Sequence, residues 1–205
     1  MYFPIPAMGI GPSTMFSYYG TKRALAPYYP APAHDLIIEP FAGAAAYACF
    51  YPSKDVWLCD VDPSVVATWD YLIGASRADI LSLPDLRSGD KVPRELSLGA
   101  RCLMGFAANP GSAVPKVTAT ARCKWNTQRT RIADFVELIK HWIIFSQPWS
   151  DLPDIEATWF IDPPYQYAGK WYRCGSSRVD YDALAQFCTS RQGQTIVCES
   201  EGADW

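Results

Sequence analysis

Asp162-Pro163-Pro164-Tyr165 follows the apolar run Trp159-Phe160-Ile161, and these are residue types that could do chemistry. A short strand would deliver a carboxylate, two prolines and an aromatic ring to one rim. Proline cannot donate to a sheet ladder, so the strand stops there and the backbone turns outward. The first proline's carbonyl then has no obligatory sheet or helix partner. Two oxygen acceptors beside a flat ring suit an aromatic amine whose two N–H bonds must be held while its face is stacked. A strand ending in Asp-Pro is also an ordinary turn, and four residues alone do not choose between the two.

Two further turns carry polar groups in useful places. Glu39-Pro40-Phe41-Ala42-Gly43-Ala44-Ala45-Ala46 reads as the first strand-to-helix turn. Its small residues let a ligand approach the backbone, and a helix over 44–50 would begin with free N–H groups. No Gly-x-Gly-x-x-Gly pattern and no P-loop lysine are present, which argues against a dinucleotide pyrophosphate or a nucleoside triphosphate. Glu39 instead suits a ligand with a cationic amino-acid part, although a tight packing turn would use the same residues. About twenty residues on, Asp60 and Asp62 end a second strand, where an acid can accept both ribose hydroxyls. An adenosyl cofactor without a pyrophosphate fits both turns, and S-adenosylmethionine is the obvious candidate.

The elements that must position these turns are short. Apolar runs at 36–38, 56–59, 142–145, 158–161 and 195–198 are continuous rather than alternating, as in a parallel sheet buried on both faces. Helices are expected at 44–50, 64–73, 131–140 and 181–191. Asp62-Pro63 and Asp180 supply start signals for two of them. The alternation reads as an α/β fold with a doubly wound, mostly parallel sheet and ligands at the carboxyl ends of its strands. Residues 76–128 break the rhythm with Gly99, Gly105, Pro110, Gly111 and Pro115. An insertion of this size is usually functional. Bases outnumber acids between Leu86 and Lys140, which fits either a phosphate-binding surface or a solvated loop with scattered arginines.

The 205 residues suit one α/β domain with an insertion, and 49% hydrophobic content supports a core and argues against disorder. Net charge is −3, from 18 basic and 21 acidic residues, so the chain as a whole is not built for a polyanion. No apolar run reaches the roughly 18 residues that span a bilayer, and the N-terminus lacks the pattern of a secretory signal. Seven widely spaced cysteines without a Cys-x-x-Cys pair read as reduced thiols in a cytosolic protein, with no metal site.

Three motifs in order carry a resemblance. Phe16-Ser17-Tyr18-Tyr19-Gly20-Thr21-Lys22, then Glu39-Pro40-Phe41-Ala42-Gly43, then Asp162-Pro163-Pro164-Tyr165 resemble the motifs of Dam-like DNA adenine N6-methyltransferases, especially short phage-type members. The segment from Cys198 to Trp205 also looks like the family's stretch after the next strand. The resemblance implies a Rossmann-like methyltransferase fold, with residues 1–75 and 129–205 as the catalytic domain and 76–128 as an inserted target-recognition region. The family continues into a further strand pair past the Trp205 position, which this chain is expected to lack.

By the same resemblance, Tyr19, Gly20 and Lys22 would lie over S-adenosylmethionine, with Lys22 near its carboxylate. Glu39, Pro40, Phe41 and Gly43 would line its methionine side, Asp60 its ribose, and Ser146 and Gln147 its adenine. Ala45 stands where the family has a second small position, and its methyl fits if the backbone there avoids positive φ. Tyr165 would stack on an adenine flipped out of DNA, while Asp162 and the Pro163 carbonyl accept its two N–H bonds; Pro164 completes the motif. Arg122, Lys124, Arg129 and Arg131 would contact DNA, with Trp125 and Asn126 between them. Tyr167, Lys170, Trp171 and Tyr172 would either cover the flipped base or form a surface aromatic loop. The expected activity is methyl transfer to N6 of adenine in DNA, by a monomer in a bacterial or phage-infected cytoplasm, with neither metal nor membrane. Cytosine-N4 methylation, an RNA substrate and a truncated, non-catalytic module that binds S-adenosylmethionine or DNA remain alternatives.

Overall fold

The computed structural model describes residues 15–205. Five strands, β1 (Leu36–Glu39), β2 (Asp55–Asp60), β3 (Ile143–Ser146), β4 (Ala157–Ile161) and β5 (Gly193–Val197), form one sheet in the order β3-β2-β1-β4-β5. Every pairing is parallel, so the fold is α/β and Rossmann-like. Neighbouring residues along each strand serve opposite faces. Ile37, Leu58, Phe160 and Ile196 pack with α1 (Pro63–Gly74), α3 (Leu98–Ala108) and α4 (Trp125–Val136). Ile38, Cys59, Trp159 and Ile161 pack on the other side with Leu184, Phe187 and Cys188 of α5 (Tyr181–Ser190). Burial on both faces is why the strands read as unbroken apolar runs.

The strand order places β1 between β2 and β4, so the chain leaves β1 toward one edge and later returns on its other side. Crevices at such switch points, outside the carboxyl ends of the strands, are where open parallel sheets bind ligands. Ile38 lies opposite Trp159 in the ladder, so Glu39 at the end of β1 and Asp162 just after β4 face the same crevice.

Local start signals act as the sequence implies. The Asp62 carboxylate accepts from the Ser64 N–H at 2.8 Å with Pro63 in the first turn of α1, and Asp180 accepts from the Ala183 N–H at 3.0 Å to start α5. The helix expected over 44–50 does not form. Gly43 and Ala45 take φ of 45° and 43°, a left-handed conformation that cannot continue a right-handed helix, and only the single turn Ala48–Phe50 follows. The Ala45 backbone thus adopts the positive φ that its methyl was expected to require it to avoid.

Residues 76–128 share the hydrophobic core of the sheet. They hold α2 (Arg77–Ser82), begun by a reciprocal Ser76–Asp79 capping box, and α3, nine of whose residues are buried. Where α3 crosses α1, a methyl added at Gly99 would lie 2.3 Å from the Ala67 carbonyl oxygen, so only glycine permits that approach. The helix expected to begin at 131 begins at Trp125, whose fully buried indole donates to the Pro84 carbonyl at 2.8 Å.

Candidate functional site

A cavity of about 340 Å³ opens at the carboxyl ends of β1, β2 and β4. Glu39 and the turn through Ala46 form its floor, Asp60–Asp62 one wall, and Asp162 and Pro164 another. Two segments cover it: 18–22 near the start of the described chain, and Tyr172 with Cys174, Arg178 and Val179 from the β4–α5 loop. Tyr172 joins the covers by donating its hydroxyl to the Tyr19 carbonyl at 3.2 Å, with its ring 5.2 Å from that of Tyr19. Gly20 has φ of 73°, and a methyl there would come within 1.9 Å of the Tyr172 hydroxyl oxygen.

At the rim, Lys22 and Asp162 meet across 140 residues of sequence. Lys22 Nζ donates to Asp162 Oδ2 at 2.9 Å and lies 2.7 Å from Oδ1 outside hydrogen-bond geometry, so Oδ1 has an ion contact but no hydrogen bond. The same ammonium donates to the Gly20 carbonyl at 2.9 Å and stands 4.6 Å from the centroid of the Tyr165 ring. Lys22, expected beside a cofactor carboxylate, is therefore held by Asp162 at the rim. Burial pushes the Asp162 carboxyl up to about 6, against the opposing pull of the Lys22 charge.

The rest of the motif divides its work. Pro164 lines the cavity and its carbonyl accepts from the Tyr181 hydroxyl at 2.5 Å. Pro163 is buried outside the cavity lining, and its carbonyl carries no hydrogen bond among the described residues. Tyr165 is half-buried and also lies outside the lining, its ring turned to Lys22. Its carbonyl accepts from the Gly169 N–H at 2.7 Å, while the next N–H, from Gln166, goes to Glu199 at 3.0 Å.

The floor and far wall are rich in acceptors. Glu39 is 2% exposed and takes the Ala48 N–H at 2.7 Å; burial pushes it up to about 8. Asp60 accepts from the Gly43 and Asp62 N–H groups at 3.0 and 2.8 Å, and burial raises it to about 6. Trp69 holds the other side of the same peptide turn by donating to the Gly43 carbonyl at 2.8 Å. A carboxylate has roughly four acceptor directions, so Asp60 keeps some for a ligand. Asp62 Oδ2 and Thr21 Oγ1 are buried with no hydrogen bond, and both residues line the cavity. Unmet acceptors beside a floor carboxyl suit a ligand bearing hydroxyls and a cationic amine. No group of three or more possible metal ligands occurs among the described residues.

Several expected residues lie elsewhere. Tyr19, Gly20, Lys22, Glu39, Phe41, Gly43 and Asp60 line the cavity, whereas Pro40, Ser146 and Gln147 do not. Ser146 ends β3, an edge strand separated from β1 by β2, and the Gln147 carbonyl is turned to the Cys59 thiol, from which it accepts at 3.1 Å. Pro148 and Trp149 reach the cavity in their place, with the Trp149 ring 6.3 Å from Phe41. The signal for Trp149 was a lone aromatic just past the third strand, which turn chemistry does not distinguish from core. Arg178, Val179 and Cys174 also line the cavity without any sequence signal.

The basic residues expected on DNA are largely engaged within the fold. Arg122 donates to the Pro110 carbonyl at 2.9 Å, and Arg129 pairs with Asp85 at 2.9 Å while also holding the Leu83 carbonyl. Arg131 is half-buried, its pKa pushed down by burial and the nearby Arg23. Lys124 is exposed. Asn126 accepts from the Leu86 N–H at 2.9 Å. A scan against protein-family models finds no match to this chain, and a search of curated proteins finds no significant relative.

Proposed function

We propose that this chain is an S-adenosylmethionine-dependent DNA methyltransferase acting on N6 of adenine. The observation that carries the reading is the seat of Lys22 Nζ: a nitrogen with N–H bonds is held against the Asp162 carboxylate, over the Tyr165 ring, at the edge of the cavity. That is the chemistry demanded of a site for an exocyclic amine. The side chain of Lys22 is long and rotatable, so it can yield the seat to an incoming base. The amine then donates one N–H to Asp162 and the other to the unengaged Pro163 carbonyl. With both hydrogens held, the nitrogen lone pair points toward the cavity.

S-adenosylmethionine would supply an electrophilic sulfonium methyl there. Its ammonium fits Glu39, and its ribose hydroxyls fit Asp60 and the unmet Asp62 Oδ2. Burial raises Glu39 to about 8, and a cationic amine beside it would favour the ionised carboxylate. At the rim, once the target nitrogen had accepted the methyl, with the C–S electron pair leaving on sulfur, Asp162 would take the proton that the nitrogen sheds and pass it to water. Asp162 needs little basicity for this, since the amine becomes acidic only as methylation proceeds. Its contribution is positioning and electrostatic stabilisation in a site shielded from water. Flipping the target out of the duplex costs a few kcal/mol.

The test is incubation with labelled S-adenosylmethionine and unmethylated duplex DNA, followed by digestion to nucleosides. Label in N6-methyladenine is expected. Label in N4-methylcytosine would replace the adenine assignment, and cofactor binding without transfer would make the chain a binding module.

A further inference from the structure

The β4–α5 loop displays exposed side chains that the hydrophobic core does not use. Tyr167 and Trp171 are 61% and 66% exposed. Lys170 Nζ stands 5.3 Å from the centroid of the Trp171 ring, and among the described residues it has no acidic partner. Arg178 is exposed at the mouth of the cavity, and its guanidinium has no hydrogen bond or ion pair among the described residues. The turns Gly169–Trp171 and Ser176–Arg178 lie against each other, which brings these side chains to one patch.

The backbone beneath the patch is pinned. Gly169 is buried, and a methyl there would come within 2.7 Å of the Pro164 carbonyl carbon. Tyr172 anchors the loop to Tyr19, and the Arg178 N–H is bonded to the Gly175 carbonyl at 3.0 Å. The exposed rings and cations are thus presented from a fixed surface. Solvent-facing aromatics interleaved with unpaired bases suit a single nucleic-acid strand: the rings stack on bases and the cations meet phosphates. Position sharpens the match. Tyr172 lines the cavity while its chain neighbour Trp171 is exposed, so a base next to one admitted to the cavity would lie beside the Trp171 ring.

We infer that residues 167–178 bind a single DNA strand at the cavity mouth, Trp171 stacking on the base beside the one admitted and Lys170 and Arg178 meeting the flanking phosphates. The choice of DNA as partner rests on the proposed function. By contrast, Arg122 and Arg129 would have to surrender carbonyl and carboxylate partners before contacting phosphate.

The experiment is a fluorescence-anisotropy titration of the whole chain with a short labelled single-stranded deoxyoligonucleotide, without S-adenosylmethionine, over a range of salt. Trp171→Ala should weaken binding by about tenfold. Lys170→Ala with Arg178→Ala should flatten the slope of log affinity against log salt by ~1.4, about 0.7 per phosphate contact. Arg122→Ala with Lys124→Ala should leave both quantities nearly unchanged. All these residues are exposed, and a melting curve on each variant checks that it folds. Wild-type affinity and slope in the loop variants, no oligonucleotide binding at all, or loss confined to the Arg122/Lys124 variant would overturn the inference. Loop-dependent binding without methyl transfer would uphold it and sink the methyltransferase reading. Methyl transfer at unchanged kcat/KM in the loop variants would do the reverse.

Discussion

The Lys22 ammonium lies against the Asp162 carboxylate at the rim. Asp162 lies at about 6, raised by burial and held back by the Lys22 ammonium. If ionised Asp162 receives the amine, transfer should fall as pH drops through about 6. Lys22→Met removes the opposing charge, so the acid limb of the pH–rate profile should move to higher pH; an unmoved limb would show that another group controls it. Asp162→Ala should abolish transfer while S-adenosylmethionine affinity, measured by calorimetry, stays near wild type. Ala45 carries backbone strain beneath the cavity. Its left-handed backbone (φ 43°) costs about 1–2 kcal/mol. Ala45→Gly relieves that strain but loses about 0.4–1 kcal/mol to the freer unfolded chain. A gain of roughly 1–3 °C in Tm follows for a domain of this size, and a lower Tm would mean that the methyl's packing outweighs the strain.

At the scale of elements, the cavity is closed by two loops that meet at one tyrosine. Gly20→Ala places a methyl 1.9 Å from the Tyr172 hydroxyl and should part the covers, weakening S-adenosylmethionine binding. Tyr172→Phe removes the oxygen that collides. The double variant should therefore bind better than Gly20→Ala alone, a coupling that a double-mutant cycle reads directly. Additive losses would show that the clash is not what parts the loops. These loops were legible only as motifs. The segment 18–22 looked like a cofactor cover, but its attachment to 172 depends on residues 153 apart. Helix starts at Asp62 and Asp180 were readable because a cap and the N–H it accepts lie within three residues. The missing helix at 44–50 was not readable, since Asp60 and Trp69 hold the Gly43 peptide from other elements.

For the whole molecule, three buried carboxyls bind protons more tightly folded than unfolded: Glu39 at about 8 against 4.5, and Asp60 and Asp162 at about 6 against 3.8. Raised values mean that the folded state holds extra protons, so their stabilisation is present below about pH 4 and lost as pH rises toward 8. The exposed acids Asp35, Asp79 and Asp154 are shifted down and act oppositely, losing stability as pH falls below about 4. Tm should therefore peak in mild acid and decline toward pH 8, and Glu39→Gln should flatten the upper part of that decline. If S-adenosylmethionine binds as proposed, it should raise Tm more at pH 8 than at pH 5, because its ammonium would stabilise the ionised Glu39. The parallel sheet and its crevice follow from the sequence alone: continuous apolar runs, separated by helical and turn segments, bury both faces. So does the presence of an Asp-Pro-Pro-Tyr rim after one of those runs. The tertiary structure decided which groups share the crevice: Lys22 with Asp162, Trp149 in place of Ser146 and Gln147, and residues 76–128 within the common core. Strand and cap signals act over a few residues, whereas a cavity wall is made by partners that only the strand order brings together.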